Sequence, residues 1–261
     1  MAKKNIKLSV AIAVFNEEKN LEECLASVHG LADEIIVVDG GSGDATVSIA
    51  RKFTSHIIET DNPAMFHINK QKALNACSGS WILQLDADER VTPALRNEIL
   101  TVINQQPGTN NQELINGYFI PRRNYFWGHF MRKGGQYPDY VMRLVRSGKA
   151  HFSAEDVHKQ IEVEGNVGYL THPMDHISYR TNADYWRKAD TYTTLTAIEM
   201  KKNGVPKNVS TWFLYNIIKP KITFLSLFIR HKGFMDGWYG LVFAYFSALH
   251  FPLAYKKFIK L

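Results

Sequence analysis

Cysteine is nearly absent from the 261 residues: Cys24 and Cys77 are the two present, and neither stands in a C-x-x-C or zinc-type spacing. This excludes a disulfide framework and a structural zinc site, and suits a reducing compartment. Acid is nearly absent from the end of the chain. Residues 201–261 hold nine lysines, one arginine and one carboxylate, Asp236, for a net charge of +9; the whole chain carries +6, so the first 200 residues stand at −3. Basicity gathered at one end points to an anionic surface met by that end. No internal repeat or low-complexity tract occurs. Long apolar runs are scarce too. Lys3, Lys4 and Lys7 ahead of the run 8–15 imitate a secretory leader, but the run stops at Asn16-Glu17-Glu18 without a small-residue cleavage site, so it is read as a first buried strand. Residues 237–255 carry no Lys, Arg, Asp or Glu, a length close to the ~20 residues of a membrane span. Tyr239, Gly240, Tyr245, Ser247, His250 and Pro252 dot that stretch, and Lys256, Lys257 and Lys260 follow it. With 213–221 and 224–232 it predicts amphipathic helices lying in a membrane interface, their cations reaching anionic headgroups.

What is present is an apolar content of 45%, enough for a proper core. Short β-branched runs alternate with helical patterns through the first hundred residues, the signature of β-α-β units around a parallel sheet. Strands are expected at 7–14, 34–39, 56–59 and 81–86. Between the first two, Leu21, Cys24, Leu25 and Val28 recur at i, i+3, i+4 and i+7, with Gly30 as the stop. Further helices are expected at 45–53, 68–76 and 94–104, a surface loop at 105–116, later strands at 117–122 and 140–146, and a longer helix at 182–202. Composition turns aromatic and basic after Gly204-Val205-Pro206, which predicts a domain at 1–203 and an amphipathic helical membrane-docking region at 204–261.

Ligands of open α/β sheets bind beyond the carboxyl ends of the strands, and three polar clusters follow expected strands there: Asn16-Glu17, Asp39-Gly40-Gly41-Ser42-Gly43-Asp44 and Asp86-Ala87-Asp88-Glu89. Two carboxylates one residue apart at a strand end can converge on a divalent cation and leave its other positions to phosphate oxygens; a strand-ending acidic turn has the same sequence. The residues after Asp88 lack the later oxygen ligands of an EF-hand, and the Gly40–Gly43 loop lacks the G-K-[ST] ending of a P-loop. Asp39 and Glu17 are placed to bond a uracil ring or a ribose; Asn16 is equally a natural N-cap for a helix starting at Glu17.

Together the three clusters resemble glycosyltransferase family 2, on Ala13-Val14-Phe15-Asn16-Glu17, then Val37-Val38-Asp39-Gly40-Gly41-Ser42-Gly43-Asp44, then Leu85-Asp86-Ala87-Asp88-Glu89, in that order over about residues 6–179. The resemblance implies an α/β fold of GT-A type, with a mixed, mainly parallel sheet flanked by helices, a nucleotide-sugar donor of the UDP type, Mg²⁺ or Mn²⁺, and inversion at the anomeric carbon. By the same resemblance Phe15, Asn16, Glu17 and Asp39 hold base and ribose, Asp86 the ribose or a metal-bound water, and Asp88 the metal; Asp86 and His176 are further candidate ligands, His176 also reading as a histidine bonded within a turn. Lys70 and Lys72 are placed for the diphosphate, or on a solvated helix face. The tail is similar to those of bacterial family 2 enzymes that build lipopolysaccharide core, such as its β-glucosyltransferases. That implies a glycolipid or lipid-linked acceptor, an enzyme peripheral to the cytoplasmic face of the inner membrane, and no nucleic-acid partner.

An inverting displacement needs a carboxylate to take the acceptor's proton. The segment from His151 to Lys159 offers Asp156 first, then Glu155; similar sequences carry an acid directly after the Val-His pair, where this one has Lys159. That departure leaves open a displaced base or a nucleotide-sugar-binding protein without catalysis. Arg122-Arg123 and Tyr125-Phe126-Trp127 would line an acceptor groove or sit in the core, and Trp186 and Tyr192 carry the same two readings.

Overall fold

A computed structural model describes residues 6–63, 67–105, 114–152 and 161–261. The chain starts as β1 (Leu8–Val14), α1 (Leu21–Val28), β2 (Glu34–Asp39), α2 (Thr46–Ala50), β3 (Ile57–Glu59), α3 (His67–Ala76) and β4 (Trp81–Leu85). A short β5 (Glu89–Arg90), α4 (Pro93–Asn104), β6 (Ile115–Phe126), β7 (His129–Phe130), β8 (Asp139–Arg146), β9 (Ala150–Phe152), β10 (Ile161–Val163), β11 (Asn166–Tyr169) and β12 (Met174–Tyr179) follow. The strands order as β3-β2-β1-β4-β8-β6-β12-β5, with β7 and β11 also on β6, while β9 and β10 form a separate antiparallel pair. β1 runs parallel to both β2 and β4, β2 to β3 and β11 to β6, whereas β8 is antiparallel to β4 and β12 to β5. This is the mixed, mainly parallel sheet of GT-A type that the motifs implied.

β1 is apolar almost throughout because it is covered on both faces. Leu8, Val10, Ile12 and Val14 pack toward the stripe Leu21, Cys24, Leu25 and Val28 of α1, and Ala11 packs with Ala73 and Leu74 of α3 on the other side. Helix α1 ends where expected, with Gly30 left-handed at φ 68°. It does not begin at Glu17: Asn16 is itself left-handed at φ 54°, and the first helical residue is Leu21. The N-cap role expected of Asn16 is corrected by that conformation, which turns the chain away before any helix starts.

The chain groups into two compact units, residues 1–122 with 140–176, and 123–139 with 177–261. The helix expected at 182–202 forms over Asn182–Lys202 with Thr181 and Asp184 in a reciprocal capping box, and belongs to the second unit. There it is followed by Val209–Phe213, Leu214–Ile218, Lys219–Leu225 and Ser226–Arg230, which alternate α and π geometry, a 3₁₀ turn Gly233–Asp236, and a final helix Gly237–Lys260. The final helix buries Val242, Ala244, Ala248, Ala254, Tyr255 and Phe258. No helix among the described residues is long and apolar enough to cross a membrane.

Candidate active site

The three polar clusters meet on one edge of the first unit because their strands are parallel neighbours. β1 lies between β2 and β4, with Val14 opposite Asp39 and Ile12 opposite Leu85. The chain moves from β1 outward through β2 and β3, then returns to the other flank of β1 as β4, so strand order reverses beside β1, the kind of point where open sheets hold nucleotides.

The first two clusters interlock. The Asn16 N–H donates to Ser42 Oγ at 2.8 Å and the Gly43 N–H to Asn16 Oδ1 at 2.9 Å; the Glu17 N–H donates to Thr46 Oγ1 at 2.8 Å and the Glu18 N–H to Asp44 Oδ2 at 3.2 Å. Asp39 is only 2% exposed. Its carboxylate accepts from the Gly41 and Ser42 N–H groups at 3.0 and 2.9 Å and from the Ser42 hydroxyl at 2.6 Å, so it builds the glycine turn, whose Gly41 needs φ 80°. Burial opposes the charge on Asp44, but hydrogen bonds from the hydroxyl and N–H of Thr46 hold its carboxyl below the ordinary value. Phe15 is exposed beside these turns, and Glu17 Oε2 accepts from Asn20 Nδ2 at 2.8 Å. Lys72 Nζ donates to Thr60 Oγ1 at 2.7 Å, and the Thr60 N–H to the Asp39 carbonyl at 2.8 Å, which places Lys72 beside the β2 end.

The third cluster rests on an ionic network that sequence reading missed. Arg143 of β8, only 7% exposed, donates from Nη2 to Asp86 Oδ2 at 2.7 Å and Glu89 Oε1 at 2.8 Å, from Nε to Glu89 Oε2 at 3.0 Å, and from Nη1 to Gln84 Oε1 at 2.5 Å. Lys70 pairs with Asp86 Oδ1, which also accepts from Gln84 Nε2 at 3.1 Å. Burial alone would raise the Asp86 carboxyl; the Arg143 guanidinium and then the Lys70 ammonium hold it well below the usual aspartate range. Glu89 is fully buried and also faces Arg122 Nη1 at 3.4 Å. Arg90 ties the turn down, donating to the carbonyls of Ala87 at 2.7 Å and Asn20 at 2.7 Å.

Asp88 faces a histidine of β12. The pairing of His176 with Glu89 in β12 and β5 carries the imidazole to the turn, and His176 Nε2 stands 3.5 Å from Asp88 Oδ2. An imidazole and a carboxylate at this separation are near enough for one divalent cation to take both as ligands. Among the described residues no group of three or more His, Cys, Asp or Glu side chains is arranged around a metal position. Both Asp86 oxygens are engaged by protein cations.

Asp156 and Glu155 lie outside the described residues. The aromatic run after Arg122 is core rather than groove: Phe126 is buried against Tyr185 and Phe243 at ring distances of 6.0 and 5.5 Å, and Trp127 stacks on Phe126 at 4.5 Å. Trp186 packs on Phe246 at 4.8 Å, while Tyr192 is exposed. Arg122 faces Glu89. Both cysteines are free, as expected.

Comparison with known proteins gives the family. The model of glycosyl transferase family 2 matches residues 9–177. The lipopolysaccharide core biosynthesis glycosyltransferase LpsC of Rhizobium meliloti (strain 1021) is 30% identical over 93% of this chain and 91% of that protein. An uncharacterized glycosyltransferase of Rickettsia prowazekii (strain Madrid E) is 26% identical over 90% and 81%. Among solved structures, S. aureus TarS 1–349 in complex with UDP aligns at 16% identity and a TM-score of 0.47 over 88% of this chain and 74% of that one. Matched from β1 to β12 by the family model, and along nearly its whole length by a lipopolysaccharide core enzyme, the chain belongs to glycosyl transferase family 2.

Proposed function

We propose that the chain is a metal-dependent, inverting glycosyltransferase that takes a sugar from a UDP-sugar and gives it to a lipopolysaccharide-type or lipid-linked acceptor at the cytoplasmic face of a membrane. The observation that carries the metal and donor assignment is the facing of Asp88 and His176 at 3.5 Å on the edge shared with Asp39, Glu17 and Asp86. The relationship to LpsC supports the acceptor class.

A divalent cation there would neutralise charge on the diphosphate as it leaves. Asp88 and His176 would hold the cation, and Lys72 would add positive charge on the diphosphate side. Arg143 and Lys70 keep Asp86 ionised, so that it accepts a hydrogen bond from the ribose or from water. The interlocked turns of Asn16 and Ser42 present Phe15 and Glu17 to the base. The acceptor oxygen forms its bond to the anomeric carbon as the bond from that carbon to the phosphate oxygen breaks, its electron pair leaving with UDP. The acceptor's proton passes to Asp156 or Glu155.

The test is turnover of UDP-glucose and related donors by the purified chain, with Mn²⁺ and with chelator. UDP release is expected only with the metal, and Asp88→Ala should lower it by at least about a hundredfold, the loss of roughly 2.7 kcal/mol of transition-state stabilisation, in protein whose melt shows it to be folded. Unchanged turnover in that variant sinks the assignment. A second reading, motivated by Lys159 at the position of the customary acid, is a binder that holds UDP and turns over no donor with any acceptor.

A further inference from the structure

The second unit carries an outward apolar face that its own packing does not use. In the helical stretch 209–230 Trp212, Phe213, Ile218, Ile222 and Ile229 are exposed, and in the turn beyond it Phe234 and Met235 are 52% and 60% exposed, followed by Trp238 at 67%. Single exposed hydrophobes are ordinary on a protein surface; a continuous run of large ones marks a binding surface.

The charge around that turn is arranged unusually. The Gly134 N–H donates to the His231 carbonyl at 2.9 Å, which brings the strongly exposed Arg132 and Lys133 beside Arg230 and Lys232. Asp236 is the one acid of residues 201–261, and it is withdrawn: its side chain is 2% exposed, accepting from the Arg132 and Lys133 N–H groups at 3.0 and 2.8 Å. The surface is left cationic and apolar. The backbone of the turn is closely packed, since a Cβ on Gly240 would stand 1.8 Å from the Gly233 carbonyl oxygen and one on Gly233 2.6 Å from the Leu227 carbonyl oxygen. Helix Gly237–Lys260 buries Val242, Ala244, Ala248, Ala254, Tyr255 and Phe258 but leaves Trp238 in its first turn exposed, so the outward apolar side chains of the turn continue into the start of the helix.

We propose that Phe234, Met235 and Trp238 form a prong that inserts into the headgroup region of an anionic phospholipid bilayer, with Arg132, Lys133, Arg230 and Lys232 seated on lipid phosphates around it. The occupant is argued from charge: four cations ring the apolar tip, and the acid that would repel a phosphate is hydrogen-bonded inward. This deepens the membrane part of the reading above and rests on it.

The experiment is co-sedimentation of the full chain with phosphatidylglycerol/phosphatidylcholine vesicles and with pure phosphatidylcholine vesicles, alongside gel filtration with light scattering. The wild type should bind the anionic vesicles, more weakly as salt rises. Phe234→Ser with Met235→Ser should weaken binding by at least about tenfold, from the apolar area no longer buried, with an unchanged melt and unchanged metal-dependent turnover of donor. Arg230→Gln with Lys232→Gln should weaken it on anionic vesicles. Wild-type binding that both variants retain overturns the prong and leaves membrane attachment standing. No binding to either vesicle overturns both while donor turnover still judges the enzyme. A dimer that Phe234→Ser dissociates, without vesicle binding, would reassign the face to a second copy of the chain and overturn the proposal.

Discussion

Arg143 is the side chain on which the candidate site most depends. In Arg143→Met the apolar stem survives but the guanidinium is lost. Glu89, fully buried, then gives up three contacts of 2.8 to 3.3 Å and keeps Arg122 at 3.4 Å as its remaining cation within reach among the contacts described. Removing one partner of a buried ion pair costs about 3–5 kcal/mol, because the other charge stays buried. With about 2–4 °C per kcal/mol for a chain of this size, the melting temperature should fall by about 6–20 °C. Adding Glu89→Gln removes the stranded charge, while the new side-chain carbonyl still accepts from the Asp86 N–H where Glu89 Oε2 does at 3.0 Å; the double variant should regain half or more of the loss. The difference should also depend on pH. Asp86 is held well below its ordinary 3.8 in the fold, so the stability it contributes is complete above that value and is lost as pH falls through the depressed one. Wild type and Arg143→Met should therefore differ most near neutrality and converge as the pH drops below 3.8. Urea unfolding at several pH values measures this. A single variant within about 1 kcal/mol of wild type, or a double variant no more stable than the single, would refute the network.

Gly240→Ala should cost about 1–3 kcal/mol or more, since the added carbon meets the Gly233 carbonyl and backbone must move, whereas Gly43→Ala, with open space around it, should be nearly neutral; thermal melts compare them. Burial pushes the Cys77 thiol up to about 12 and the Cys24 thiol higher, so neither should be alkylated by iodoacetamide at pH 8. Both should react once urea unfolds the chain, and native labelling at a matching rate would show that the burial is wrong.

Much of the fold was legible because the first hundred residues carry strong periodic signals: the four expected strands and the stripe Leu21, Cys24, Leu25 and Val28 all form. Parallel strands then bring Asn16, Asp39 and Asp86 to one edge. His176 was legible only as a candidate, since its place beside Asp88 depends on β12 pairing with β5 across more than eighty residues, which no local pattern announces. Arg143 was missed although it left a trace. It is a lone charge in Val141-Met142-Arg143-Leu144-Val145, and a charge in a strand buried on both faces must find a partner. The aromatic run Tyr125-Phe126-Trp127 was ambiguous for the opposite reason: flat rings suit a sugar as well as a core, though such clusters are more often core, and the packing of Phe126 against Tyr185 and Phe243 decides.

The carboxylates of this edge divide by what their oxygens hold. Asp39 carries the Gly41-Ser42 turn, Asp44 carries Thr46, and Asp86 and Glu89 carry Arg143. Each therefore fixes backbone or a buried cation before any donor arrives, and its replacement should lower stability and activity together. Asp88 faces His176 at 3.5 Å, too long for a strong hydrogen bond. It follows that lost turnover in an Asp39 or Asp86 variant says nothing about donor contact unless the variant is shown to be as stable as wild type. The same loss in an Asp88 variant with an unshifted melt speaks directly about the chemistry. A free energy of unfolding measured beside each rate therefore separates the residues that build the site from those that act in it.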